Sequence, residues 1–220
     1  MTKASDVREP NIFVYRTAWI VLFIIYKIFF RFKVHGRENV PKGERGIILT
    51  PNHQSYLDPP LVGISLRRPV TYLAKDYLFK APLLGLVIRA LGAIPIKSEN
   101  KKSDLGSIRQ LLKNLQAGKQ ILVFPEGTRS WDGQFQKPEE GVGFLAIKSK
   151  AHVVPAYIHG TFAAYPKGAK WFKCRQVNIF FGRSFIPAED ENLLKQADPY
   201  LAVSEKIMQE IEKIKAAARL

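Results

Sequence analysis

Two short polar runs in the 220-residue chain carry the side chains able to do acid–base and anion chemistry. The first, residues 50–60, reads TPNHQSYLDPP and directly follows an apolar run at 46–50. Asp58-Pro59 reads as an N-cap followed by proline at N1, so a helix is predicted to start near Pro59 and residues 51–58 form a strand-to-helix loop. His53 and Asp58 are five positions apart, which points them away from each other on a regular helix. On a loop that doubles back, the carboxylate can hold one imidazole nitrogen and leave the other as a general base. Such a pair needs no enzyme nucleophile when the attacking hydroxyl belongs to the substrate. A structural histidine beside an ordinary capping aspartate fits the same spacing, and spacing alone leaves both readings open.

The second run, residues 121–131, reads ILVFPEGTRSW. It is an apolar strand ending at Pro125, then Glu126-Gly127-Thr128-Arg129-Ser130. Gly127 permits a positive φ or close backbone approach. Thr128, Ser130 and nearby N–H groups can donate to an anion, and Arg129 offers a bidentate fork for phosphate. Glu126 is of a type to orient Arg129 or to accept from a substrate hydroxyl. The competing reading is a polar turn with one surface ion pair. Both runs follow apolar strands, and loops at strand carboxyl ends are where open α/β sheets bind ligands.

These loops sit in a basic chain. It has 34 Lys+Arg against 19 Asp+Glu, a net charge of +15 and a pI near 9.9. Residues 67–119 hold 11 Lys/Arg and 3 Asp/Glu, so +8 of the excess lies there. The balance calls for an anionic partner: nucleic acid, phospholipid headgroups or a phosphorylated substrate. No helix–turn–helix or aromatic nucleic-acid pattern is visible, so nucleic acid is not an expected partner. The single cysteine, Cys174, excludes an intramolecular disulfide and a cysteine-rich zinc site, and four scattered histidines give no reason to expect a metal.

The elements that must hold the loops are legible as alternation of apolar runs and helical periods. Strands are predicted at 32–35, 46–50, 70–74, 93–96, 120–125, 153–158 and 177–181, several of them continuous apolar runs suited to burial on both faces. Helices are predicted at 104–117, with Ser103 as N-cap and Gly118 as stop, at 141–149, and from Asp198-Pro199 to the end. In the last, Tyr200, Val203, Ile207, Ile211 and Ile214 form a stripe predicted to pack on the domain. The fold class is therefore α/β, with a mostly parallel or mixed sheet of about seven strands flanked by helices.

Residues 17–30, TAWIVLFIIYKIFF, carry one charge, Lys27. No small-residue cleavage site follows, so a signal peptide is not expected. Nine Ile, Leu, Val and Phe side chains contribute roughly −3 to −5 kcal/mol to insertion, against roughly +2.5 to +3.5 for a lysine at mid-membrane. The expectation is a helix in one leaflet or at the interface, with Trp19 and Tyr26 as anchors; a single span and a buried core helix are the alternatives. The chain is expected to divide into a membrane-associated segment, 1–33, and a catalytic domain, 34–220.

NHQSYLD and FPEGTRS together, about seventy residues apart, resemble the PlsC-type glycerolipid acyltransferases, the 1-acylglycerol-3-phosphate acyltransferases, whose first motif is N-H-x-x-x-x-D and whose third centres on E-G-T-R. LGAIPIK at 91–97 and VVPAYI at 153–158 resemble the second and fourth motifs, and the likeness runs over roughly 35–185. The resemblance implies the glycerolipid acyltransferase fold and transfer of an acyl group from acyl-CoA or acyl carrier protein to the sn-2 hydroxyl of lysophosphatidic acid, giving phosphatidic acid. It implies a reaction without an acyl-enzyme, metal or other cofactor. His53 would be the base and Asp58 its orienting carboxylate. Arg129, Lys75 and Lys97 would contact phosphate, and Glu126, Gly127 and Thr128 the substrate. The second motif departs from the family: it ends Ile96-Lys97-Ser98 where many members have Asp-Arg. That departure keeps another lysolipid acceptor, with a larger headgroup or an ornithine lipid, in play. The resemblance also implies a membrane-associated N-terminal segment, and the basic excess at 67–119 would then hold the enzyme to anionic membrane lipid or attract acyl carrier protein or the phosphates of coenzyme A; a cytoplasmic-side active site is expected. An acyl groove is expected along 78–91.

Overall fold

The structure is a computed structural model that describes residues 12–66, 68–96 and 105–218. Lys97, Ser98, Ser103 and Asp104 lie outside the described residues.

The chain opens with α1 (Ile12–Phe30), nineteen residues without a glycine or proline. Then follow β1 (Lys33–His35), β2 (Ile47–Pro51), α2 (Asp58–Ser65), β3 (Val70–Lys75), α3 (Pro82–Ala90) and β4 (Ile94–Ile96). The second half is α4 (Leu105–Gln116), β5 (Gln120–Leu122), α5 (Glu140–Ser149), β6 (His152–His159), α6 (Thr161–Ala164), β7 (Asn178–Phe181), α7 (Glu191–Leu194) and α8 (Pro199–Ala217). All seven predicted strands are present. β5 ends at Leu122, three residues early, although the Val123 N–H still donates to the Leu49 carbonyl. The backbone leaves the ladder there because the Pro125 segment must turn out of the sheet.

The strands form one mixed sheet in the order β1-β7-β6-β2-β5-β3-β4, parallel except for the β6–β7 pair. Alternation within the apolar runs serves two cores. Ile47 and Leu49 face a layer with α1 and α2, where Tyr26, Phe30, Leu61 and Ile64 are buried. Ile48 faces the opposite layer, where Leu111, Leu145 and Ile207 of α4, α5 and α8 are buried.

The predicted α8 stripe packs as expected: Val203, Ile207 and Ile211 are fully buried, and the Asp198 carboxylate accepts from the Leu201 N–H at 3.0 Å. α5 and α8 approach so closely that a Cβ on Gly143 would run into the Tyr200 carbonyl oxygen.

The chain leaves β2 through α2 on one face and β5 through α5 on the other. Because β2 and β5 are parallel neighbours, their carboxyl ends open a shared crevice where the connections diverge. That is how two motifs seventy residues apart come to adjoin.

α1 departs from one expectation. Tyr26 is buried and its hydroxyl donates to the Leu57 carbonyl at 2.8 Å; the Trp19 indole N–H donates to the Leu66 carbonyl at 3.0 Å. Neither is a lipid-facing anchor, because each polar tip finds a buried carbonyl on the protein side. Ile20, Val21, Ile24, Ile25, Ile28 and Phe29 are the exposed face. α1 is long and apolar enough to cross a membrane by length and composition.

Candidate active site

The loop after β2 is held at nearly every residue. The Asn52 side chain clamps β6, donating to the Ile158 carbonyl at 3.1 Å and accepting from the Ile158 N–H at 2.7 Å. The Gln54 amide donates to the Gly133 carbonyl at 2.8 Å, and the Ser55 hydroxyl donates to the Tyr165 carbonyl at 2.7 Å. The loop therefore has little freedom, and the His53 backbone is fixed between the two motifs. Its N–H donates to Glu126 Oε1 at 2.7 Å and its carbonyl accepts from the Ser130 N–H at 2.9 Å.

Asp58 lies inside the first turn of α2, not ahead of it, and its carboxylate is turned back into the loop. Oδ2 stands 2.9 Å from His53 Nδ1 and accepts from the Gln54 and Ser55 N–H groups at 2.6 and 2.7 Å. The N-cap role expected from Asp-Pro is thus replaced by an upstream one, the carboxylate accepting from two loop amides and from none at the start of the helix. Asp58 is fully buried, whereas the His53 side chain keeps 15% exposure. With Nδ1–H donating to the carboxylate, Nε2 is the imidazole nitrogen left to accept a proton. The ring lies flat on Phe124, centroids 3.6 Å apart and planes 13° from parallel, which sets its plane as Asp58 sets its tilt. Phe124 was not singled out by its sequence, because an apolar residue at a strand end carries no chemical signal.

Arg129 reaches the same crevice. Its guanidinium carbon lies 3.5 Å from the centre of the Tyr56 ring, and its Nη1 is buried without a hydrogen-bond partner. A buried, unsatisfied donor on a cation is costly unless an anion completes it. The Tyr56 hydroxyl is held below its ordinary pKa. Its hydrogen bond with Tyr77 is the largest cause; burial opposes, and the charges of Arg129 and Lys75 add to the lowering. Both cations therefore lower the same phenol. Tyr56 and Tyr77 are a further pair that sequence reasoning missed. The available signal was an aromatic residue inside an otherwise polar motif.

Glu126 is placed differently from the expected substrate contact. It is buried, and its two oxygens accept from the His53 and Gln136 N–H groups at 2.7 Å each. It ties the two loops together and makes no ion pair with Arg129. Ser130, expected as an anion donor, is also buried; its hydroxyl donates to Asp132 Oδ1 at 2.9 Å and accepts from the Gly133 N–H. Gly127 adopts φ +64°, the left-handed turn its lack of Cβ permits, and it and Thr128 are exposed beside Arg129 in the chain. The apolar stretch 78–91 folds largely as α3 and packs on β3 and β4 through Phe79 and Ile88. A cleft of about 390 Å³ between α1 and β1, lined by Trp19, Lys27 and Arg37 among others, holds none of the site residues.

Burial raises the Glu126 carboxyl to about 7, against the pull of its two N–H donors. The folded chain then binds more protons than the unfolded one between its ordinary 4.5 and about 7. The contribution of this group to stability is full below that window and is lost as pH rises through it, by on the order of 3 kcal/mol. Glu126→Gln is expected to flatten this slope. It should also cost about 1–3 kcal/mol, because one amide N–H₂ then opposes a backbone N–H. Thermal unfolding of both proteins from pH 4 to 8 checks it; an unchanged slope in the variant overturns the assignment.

The Acyltransferase family pattern matches residues 31–159, more than half the chain and the whole of both loops. The chain belongs to the acyltransferase family. Residues of this acyltransferase chain are 30% identical over 142 positions to a chloroplast 1-acyl-sn-glycerol-3-phosphate acyltransferase of Arabidopsis thaliana, covering 64% of this chain and 40% of that protein. A 1-acyl-sn-glycerol-3-phosphate acyltransferase of Bacillus subtilis is 27% identical over 83% of this chain and 87% of its own. The chain spans about half or less of the length of the plant and algal relatives it matches. The crystal structure of the 1-acyl-sn-glycerophosphate acyltransferase PlsC of Thermotoga maritima superposes with a TM-score of 0.77 at 24% identity, covering 94% of this chain and 81% of that one. That likeness establishes the acyltransferase fold. Among the described residues, no group of three or more His, Cys, Asp or Glu is arranged to hold a metal ion.

Proposed function

We propose that the protein transfers a fatty acyl group from a thioester, acyl-CoA or acyl carrier protein, to the sn-2 hydroxyl of 1-acylglycerol-3-phosphate. The observation that carries this is the Asp58–His53 pair lying in one crevice with Arg129, stacked on Tyr56 and with one donor unsatisfied. A base beside an anion-seeking cation suits an acceptor that carries both a hydroxyl and a phosphate. The relatives' names agree with the acceptor.

His53 Nε2 takes the hydroxyl proton as the oxygen attacks the thioester carbonyl. The Asp58 carboxylate stabilises the imidazolium that forms. The tetrahedral intermediate collapses with loss of thiolate, and the imidazolium returns its proton to the sulfur. Atoms and charge balance with no acyl-enzyme and no cofactor. Arg129 and Lys75 hold the phosphate, and Lys97 adds charge from the second motif. Gly127 and Thr128 line the approach. Glu126 acts by positioning His53. The exposed face of α1 seats the domain in one leaflet, where the lysolipid resides.

The test is a mass-spectrometric transfer assay with several lysolipids and both donor types. Lysophosphatidic acid is expected as the preferred acceptor. Arg129→Lys should raise its KM about tenfold or more, because a point charge replaces a fork and its stacking on Tyr56. Preference for a larger headgroup, with Arg129→Lys neutral, would sink the acceptor assignment and leave the chemistry standing.

A further inference from the structure

Residues 165–176, YPKGAKWFKCRQ, link α6 to β7 and belong to none of the motifs. They carry Lys167, Lys170, Lys173 and Arg175 and no acid. Trp171 is 84% exposed and Phe172 51%, and every residue from 170 to 176 is exposed. Large rings held in water beside cations are expensive for a soluble surface and ordinary for a lipid interface.

The segment is nevertheless tied down. Tyr165 accepts from the Ser55 hydroxyl, Pro166 bridges Ser55, and the Lys173 N–H closes the loop on the Ala164 carbonyl at 2.7 Å. Lys167 Nζ sits 3.7 Å over the ring of Trp131, itself 70% exposed and next to the second motif. At the other end the Phe172 ring meets Phe29 and Phe30 of α1, with centroids 5.9 and 5.7 Å apart. The loop is therefore continuous with the exposed apolar face of α1 at one end and with the His53 loop at the other.

We infer that residues 165–176 are a second membrane-docking element that binds anionic phospholipid, inserting Trp171 and Phe172 among acyl chains while the four cations meet headgroup phosphates. The inference rests on the membrane seating of α1. It assigns the loop the task of setting the height of the His53 loop above the lipid surface, through Ser55. An acidic carrier protein would satisfy the cations but leave the two rings unexplained, which is why lipid is favoured.

The single cysteine, Cys174, lies exposed on this loop and takes an environment-sensitive fluorophore in the full chain without substitution. With vesicles of phosphatidylcholine containing about one-third phosphatidylglycerol, the label should shift to the blue and be quenched by spin-labelled lipid tails. Lys170→Gln/Lys173→Gln/Arg175→Gln should weaken vesicle binding roughly fivefold per cation, on the order of a hundredfold together. Trp171→Ala should reduce tail quenching while the protein still floats with vesicles through α1. All four positions are exposed, so unchanged thermal unfolding is the control. A protein that floats while its label stays aqueous overturns the loop assignment alone. A protein that does not float overturns the loop and the α1 seating together. A label that responds to acyl carrier protein but not to vesicles also overturns it and makes the loop a protein-docking surface.

Discussion

His53→Ala is expected to lower acyl transfer by about 10²–10⁴-fold, with the fold intact. The loss follows from removing the one ring nitrogen placed to take a proton while its partner nitrogen is held by a buried carboxylate. The fold survives because the contacts that locate residue 53 are made by its backbone, to Glu126 and Ser130, and alanine keeps both. Loss of the ring uncovers one face of Phe124, a change in packing of about 1–2 kcal/mol. Initial rates measured beside thermal unfolding separate the two effects. A folded variant with a rate within tenfold of the parent would remove the histidine from the chemistry.

Asp58→Asn is expected to lower kcat by about 10²–10³-fold with little change in KM, because Asp58 orients and charges the base without touching substrate. The amide oxygen can still accept from the Gln54 and Ser55 N–H groups, so the loop keeps its shape. The negative charge opposite the imidazolium is lost. The new N–H₂ falls where Oδ1 now sits, buried and with no partner, which costs about 1–3 kcal/mol. Asp58→Ala should match the rate loss and cost more stability, since it strands the donors at His53 Nδ1, Gln54 N and Ser55 N together. If Asp58→Asn instead raised KM and spared kcat, the carboxylate would belong to substrate binding.

The strands were legible because each is a short apolar run bounded by turn residues, and α8 because Asp198-Pro199 and a three-four stripe are local signals. The Asp58–His53 contact was legible as one of two readings of the spacing, but what holds the carboxylate in place was not. Local statistics turned the carboxylate toward α2, whereas the fold turns it to two loop amides that exist only once residues 52–57 are clamped to β6. Trp19 and Tyr26 were misplaced for a related reason. Their amphipathic rings suit a membrane interface or a buried carbonyl equally well, and the packing of α1 on α2 decides between them.

Glu126 and Tyr56 mark the limit most clearly. A carboxylate beside Gly-Thr-Arg reads as a partner for substrate or arginine, yet two backbone amides from elsewhere in the chain take both its oxygens. Tyr56 reads as filler between His53 and Asp58, yet its ring carries the guanidinium of Arg129 from seventy residues away.

Residue order alone determined which groups are present, that they follow apolar strands, and that the chain is basic and α/β, since all of these depend on composition and on neighbours within a few positions. Only the tertiary structure decided that β2 and β5 lie side by side. With that came the meeting of the two loops, the occupancy of each carboxylate oxygen and the place of the 165–176 loop beside α1. Strand order depends on which crossovers bury the most apolar surface across the whole sheet, a sum that no local window of sequence contains.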